Sequence, residues 1–170
     1  MSLSAISEKG AGRPLFRSLA NPMTRLVLDT NTVMALWFFE DPALAPLRRF
    51  IDAGDATLLA RDDALEELRR VLGYRQFACT PAHQGQLWQA YRDRVALVAM
   101  GTDGDPLPKC RDADDQKFLE IARDGDAAGL LTRDKALLRC GRHRLVRERF
   151  AILTPERWQT EVLPTLAAQA

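Results

Sequence analysis

The 170-residue sequence predicts an α/β fold, a three-layer α/β/α sandwich around a mainly parallel sheet of about five strands. Three observations carry that reading. From Arg25 onward, short continuous apolar runs alternate with helical patterns, which implies βαβ units and a sheet covered on both faces. The length suits one ordinary domain and suffices to bury roughly 70% of the unfolded surface. Hydrophobic residues make up 46% and charged residues 28%, a globular balance.

The elements follow in order. Residues 1–24 carry Gly10, Gly12, Pro14 and Pro22 with no periodicity and are expected to form a loose tail; residues 25–170 form a single domain. Leu26-Val27-Leu28 reads as a buried strand ending at Asp29, and Asn31 to Phe39 as a helix packed all round. Pro42 breaks it, and Ala45, Leu47, Phe50 and Ile51 carry a second helix to Gly54. Thr57 to Ala60 is the second strand. Asp62 or Asp63 can cap a helix with Leu65, Leu68, Val71 and Leu72 on one face and Gly73 past its end. Thr80-Pro81 opens a helix holding Leu87, Trp88 and Tyr91, and Val95 to Met100 is the third strand.

Gly101 to Pro108 is a loop, after which Asp112 or Asp114 can cap a helix with Phe118, Leu119, Ile121 and Ala122. Gly129 to Thr132 is the fourth strand, followed by a short helix with Leu137 and Leu138. Phe150 to Leu153 is the fifth strand, and Thr154-Pro155-Glu156 starts a last helix through Trp158, Val162 and Leu166.

Composition excludes several classes. Lys and Arg number 24 against 23 Asp and Glu, a net charge of +1, so the chain is no uniformly basic nucleic-acid sleeve. Cys79, Cys110 and Cys140 form no C-x-x-C pair and match no zinc spacing, and are expected to be reduced thiols, with a single disulfide as the alternative. His83 and His143 are too scattered for a His-ligated metal. No apolar run approaches the ~18 residues of a membrane span, and the first 22 residues lack the apolar core of a secretory signal. A cytoplasmic protein is expected.

In open parallel sheets, ligands bind beyond the carboxyl ends of the strands. Strand one ends in Asp29-Thr30-Asn31 and strand four in Thr132-Arg133-Asp134. A helix start delivers Asp112, Asp114 and Asp115, and the helix after strand two carries Glu66-Glu67. Singly, these acids are ordinary caps or solvated surface groups. Delivered together to one sheet edge they repel one another unless a cation joins them, and hard oxygen donors suit Mg²⁺ or Mn²⁺. Such a site can engage a phosphodiester. Residues 103–126 hold eight acids and four bases, whereas residues 133–149 hold seven Lys and Arg and two acids. A basic stretch beside an acidic pocket fits a polyanionic substrate, with Arg133, Lys135 and Arg139 as nucleic-acid contacts; a salt-bridged solvated face is the alternative.

Four segments then carry a resemblance. Leu26 to Thr32 resembles the opening strand of PIN-domain nucleases, Glu67 to Leu72 their second acidic motif, Asp112 to Ala122 the third, and Leu130 to Leu138 the fourth, in family order and spacing. The chain is most similar to PIN proteins that act as toxins of bacterial toxin–antitoxin pairs. The resemblance implies a metal-dependent ribonuclease that hydrolyses RNA with activated water, often as a homodimer and with a cognate antitoxin protein as partner. It implies that Asp29, Glu67 and Asp115 are the central catalytic and metal-binding acids, that Asp134 completes the quartet, and that Asn31 and Thr132 orient the acids. Asp112 is either a ligand or a helix cap, and Glu66 is the one-residue alternative to Glu67.

Two other readings compete. Asp29-Thr30-Asn31-Thr32-Val33 approximates the nucleophile loop of haloacid-dehalogenase-like phosphatases, but Asn31 cannot titrate where a second acid is required. A catalytically silent PIN-like module would bind RNA or protein without cutting. Trp37, Phe38 and Phe39 are candidates for a partner groove or dimer face, with core packing as the plainer alternative.

Overall fold

The computed structural model describes residues 23–169, so nearly all of the segment read as a tail lies outside the described residues. Five strands, β1 (Thr24–Leu28), β2 (Ala56–Ala60), β3 (Val95–Leu97), β4 (Gly129–Leu131) and β5 (Ala151–Leu153), form one all-parallel sheet in the order β3-β2-β1-β4-β5. Parallel neighbours need crossovers, and helices supply most of them. α1 (Thr30–Val33), a wide π-type turn (Met34–Phe38) and α2 (Ala45–Asp52) lead to β2; α3 (Asp62–Leu72) and α4 (Pro81–Arg92) lead to β3. α5 (Gln116–Asp124) precedes β4, α6 (Lys135–Cys140) and α7 (Arg144–Arg147) precede β5, and α8 (Pro155–Arg157) runs through a second π-type turn into α9 (Leu163–Ala167).

The strands read as continuous apolar runs because both faces are covered. Leu26 and Leu28 pack on one side with α1, α2, α3 and Trp158, while Val27 between them packs on the other with Phe118 and Ile121 of α5, Leu137 of α6 and Val146 of α7. Each fully buried Leu or Ile contributes about 1.5–3 kcal/mol over its exposed state. The sheet grows from β1 toward β2 on one side and toward β4 on the other, so its direction switches between β1 and β4.

Several local expectations change. The third strand stops at Leu97 rather than Met100: it is an edge strand, and after the Val98 amide donates to the Ala60 carbonyl no strand remains to pair with. Arg61, not an aspartate, occupies the cap position of α3, and Asp62 and Asp63 stand in its first turn. Asp112, not Asp114, caps the 3₁₀ turn before α5 by accepting from the Asp114 amide. α7 was not expected; its four residues are too few to show a period. The three cysteines are free thiols. Trp37 is core, Phe38 is partly buried and Phe39 is exposed. Among the described residues no helix is long and apolar enough to cross a membrane.

Gly129 opens β4 because Trp158 lies against it: a Cβ there would stand 2.7 Å from the indole. Gly129→Ala should cost about 1–3 kcal/mol, the usual penalty of overpacking a filled core, measured by chemical denaturation. An unchanged midpoint would show that Trp158 is free to move.

Candidate active site

β1 and β4 run side by side in the register Leu28↔Leu131, so the residues just beyond them, Asp29 and Thr132, emerge as neighbours. Both are buried, Asp29 at 5% exposure and Thr132 at 0%. The Thr132 hydroxyl donates to Asp29 Oδ2 at 2.5 Å, and the Thr32 amide donates to Asp29 Oδ1 at 2.8 Å. Asp29 therefore caps α1 and is pinned from the adjacent strand at the same time. Burial pushes its carboxyl above the ordinary range, while those hydrogen bonds pull the other way. Thr132 also accepts from the Asp134 amide at 2.9 Å, and Asp134 in turn caps α6 by accepting from the Leu137 amide at 3.0 Å.

Glu67 reaches the same edge from the middle of α3. The Thr30 hydroxyl donates to its Oε1 at 2.6 Å, and the Lys117 ammonium pairs with its Oε2. Glu66 points outward to a loose pair with Arg69 at 3.6 Å. Between the two candidate positions, Glu67 is the one in the cluster. Lys117 also donates to the Asp114 carbonyl, which ties the start of α5 to α3. Arg61, buried at the end of β2, reinforces that tie through Asp63 at 2.8 Å and Glu120 at 2.9 Å.

Asp115 gathers the cluster. Burial first, then the charges of Asp112, Asp134, Asp29 and Glu67, push its carboxyl up to about 6. Five acids thus share one electrostatic neighbourhood at the switch point of the sheet, with Asp112 at its exposed rim. The set consists of hard, mutually repelling oxygen donors, which fits a divalent cation in kind. Lys117 already places a cationic group against one of them. Among the described residues, no three His, Cys, Asp or Glu side chains converge as a ready-made metal site.

The other expected residues divide. Asn31 is exposed on the first turn of α1 and makes no side-chain hydrogen bond among the described residues; Thr30, next to it, does the orienting. Arg133 turns away from the acids and bridges Glu156 and Asp41, the latter at 3.2 Å. Lys135 and Arg139 are exposed on α6 without an ion pair among the described residues.

Three contributors were not singled out from sequence. Thr30 follows the Asp29 cap directly, and its signal was that adjacency. Lys117 is one of four bases within the acid-rich stretch from Asp103 to Asp126. Tyr91, read only as an apolar helix residue, is buried with its phenol in the field of Asp29; burial and that charge raise its pKa.

The raised carboxyls carry a sign. Between about pH 4 and pH 6 the folded chain holds a proton on Asp115 that the unfolded chain has released, so folding gains stability as pH falls through that window. In chelator, Asp115→Asn should therefore be more stable than the parent at pH 7, with the gap narrowing toward pH 5, as read by thermal unfolding. Thr132→Val should lose about 1–3 kcal/mol, because it strips a donor from a buried carboxylate. A stability loss in Asp115→Asn at pH 7 would make that carboxylate a structural element.

Comparison with known proteins agrees with the geometry. A search of curated proteins finds no match to the chain. The PIN domain family model matches residues 25–136, which spans β1 through β4 and all five clustered acids. The sequence motifs, the parallel sheet with its switch point and this match have one conclusion: the chain belongs to the PIN-domain family of nucleases.

Proposed function

We propose that the protein is a metal-dependent ribonuclease that hydrolyses RNA phosphodiesters with activated water, and that it is the toxin of a toxin–antitoxin pair. The observation that carries the nuclease reading is geometric: the register Leu28↔Leu131 sets buried Asp29 beside Thr132 at the switch point of a parallel sheet, with Glu67 brought to the same edge by Thr30 and with Asp115, Asp134 and Asp112 within its field. Such a cluster is costly unless it serves a cation.

Asp29, Glu67, Asp115 and Asp134 would hold Mg²⁺ or Mn²⁺, with Asp112 at the rim. A bound ion of this kind supplies the Lewis acidity that activates water and offsets charge on the phosphate. The chain's own residues do the positioning. Thr132 and Thr32 hold Asp29 by hydrogen bonds to both of its oxygens. Thr30 orients Glu67 from α1, and the Lys117 ammonium screens that carboxylate beside the place where phosphate arrives. Lys135 and Arg139, exposed on α6, suit contacts to flanking phosphates. Because Arg133 is engaged by Glu156 and Asp41, its contribution to phosphate binding requires breaking that bridge.

The toxin role rests on the four-motif resemblance, and with it go a cytoplasmic location, a cognate antitoxin and a homodimer. The sequence carries an acid in each of the four motifs, which favours a cutting enzyme over a silent binding module.

The deciding assay incubates the protein with mixed single-stranded and structured RNA in Mn²⁺, in Mg²⁺ and in chelator. Cleavage is expected with either metal, none in chelator, and a loss of at least ~100-fold in Asp115→Asn or Asp29→Asn, since losing a positioned charged ligand costs 10–100-fold or more. Cleavage that persists in chelator, or in both variants, would overturn the four-acid site. Metal binding by titration calorimetry without cleavage of any RNA would point to the silent module.

A further inference from the structure

Away from the acids, where α1 and its π-type turn end, the surface becomes aromatic. Phe39 is 59% exposed and Tyr74 51% exposed, unusual values for such large rings. They belong to one connected group. Phe38 meets Phe39 edge-on at 4.9 Å, both meet Phe77 at 5.5 and 5.8 Å, and Tyr74 lies nearly coplanar over Phe77 at 6.5 Å, with an interplanar angle of 9°. His83 approaches Phe38 at 6.4 Å. Packing among themselves holds these rings in place while the outer faces of Phe39 and Tyr74 stay open to solvent.

The ridge continues into a groove of about 270 Å³ between α3 and α4, lined by Arg69, Leu72, Pro81, Gln84 and Trp88. There the Arg69 guanidinium lies over the Trp88 ring at 4.3 Å. The charge of the surrounding chain is one-sided. From Arg69 to Arg92 the sequence holds four Arg and His83 and no Asp or Glu, in a chain with 23 acids. Arg69, Arg70, Arg75 and His83 are exposed. Two exposed acids adjoin this surface: Glu40 follows Phe39, and Glu66 pairs with Arg69 at 3.6 Å, which leaves Arg70 and Arg75 as exposed cations without an ion pair among the described residues. Open aromatic faces beside exposed cations in excess of acids match a single nucleic-acid strand, whose bases stack and whose phosphates need neutralising.

The geometry points to the Phe39–Tyr74–Phe77 ridge and the adjoining Arg69–Trp88 groove as a stacking platform for single-stranded RNA. This inference rests on the nuclease reading and adds a second binding region to it. The platform selects unpaired RNA without reading its sequence, because every base presents a π-face.

The test uses the full chain in chelator, so that nothing is cut, and measures anisotropy of labelled 12-mer oligouridine and oligoadenine. Two variants are compared with the parent: Phe39→Ala with Tyr74→Ala, and Phe39→Leu with Tyr74→Leu. The leucine pair keeps apolar area and removes the π-faces. Both pairs should weaken binding at least about tenfold, from the cost of one to two lost stacks, while the far-ultraviolet circular dichroism stays unchanged. Unchanged affinity in both variants overturns the platform. Loss in the alanine pair alone, or loss of self-association by sedimentation with RNA affinity intact, also overturns it and makes the ridge a protein interface. Metal-dependent cleavage by the parent, assayed in parallel, separates the two readings: cutting with unaffected variants leaves the nuclease and removes the platform. Platform-dependent binding without any cutting removes the nuclease and leaves the platform. A parent that neither binds nor cuts removes both.

Discussion

Asp29 is a carboxylate at 5% exposure on the end of a strand covered by helices on both faces, and the site is organised around keeping it there. A charge in that position is tolerable only if its oxygens are satisfied. One partner is local, the Thr32 amide one turn into α1, and the other comes from Thr132 on the neighbouring strand. The second bond exists because β1 and β4 pair in a register that puts Leu28 opposite Leu131. Slipping that register would move both the core face and the acid's partner together. Core packing and site geometry are thus set by the same backbone alignment. The stitch is doubled by the Thr32 hydroxyl, which donates to the Leu131 carbonyl at 3.1 Å.

From this anchor the remaining acids are placed by helix starts and by one helix face. Asp134 and Asp112 sit at caps, where short side chains accept backbone amides and the helix dipole favours negative charge. Glu67 depends instead on α3 packing against α1 through Leu68 and Leu72, which brings it within reach of Thr30. Asp115 has no such satisfaction from a cap and bears the accumulated repulsion. Lys117 and Arg61 offset part of the charge from the flank by tying α5 to α3. The result is a cluster rigid at Asp29 and Asp134 and electrostatically strained at Asp115.

The layer order and most elements were legible from periodicity and caps. Thr80-Pro81 and Thr154-Pro155 opened helices as read, and the strand runs lay where continuous apolar residues placed them. The misses have local causes. The end of β3 depended on where its only neighbour stopped, and α7 is too short to carry a period. At the site, the choice of Asn31 over Thr30 turned on one helical position: Asn31 faces solvent on the first turn, while Thr30 faces α3. Arg133 sits between Thr132 and Asp134 in sequence, yet its guanidinium goes to Glu156 and Asp41, an arrangement that depends on how α8 docks.

By itself, the sequence determined that this is a doubly covered parallel sheet, that its strand ends carry acids, and which motifs those acids belong to. Alternating burial, helix caps and residue chemistry are local properties, and all of these follow from them. Tertiary structure alone decided which acids share one field, which hydroxyls hold them, and that Phe39 and Tyr74 stay exposed while Trp37, next to them, is buried. Those outcomes depend on pairing register and on the packing of α1 against α3 and α4. Contacts between residues tens of positions apart are set by the whole assembled core rather than by the neighbours of any one residue.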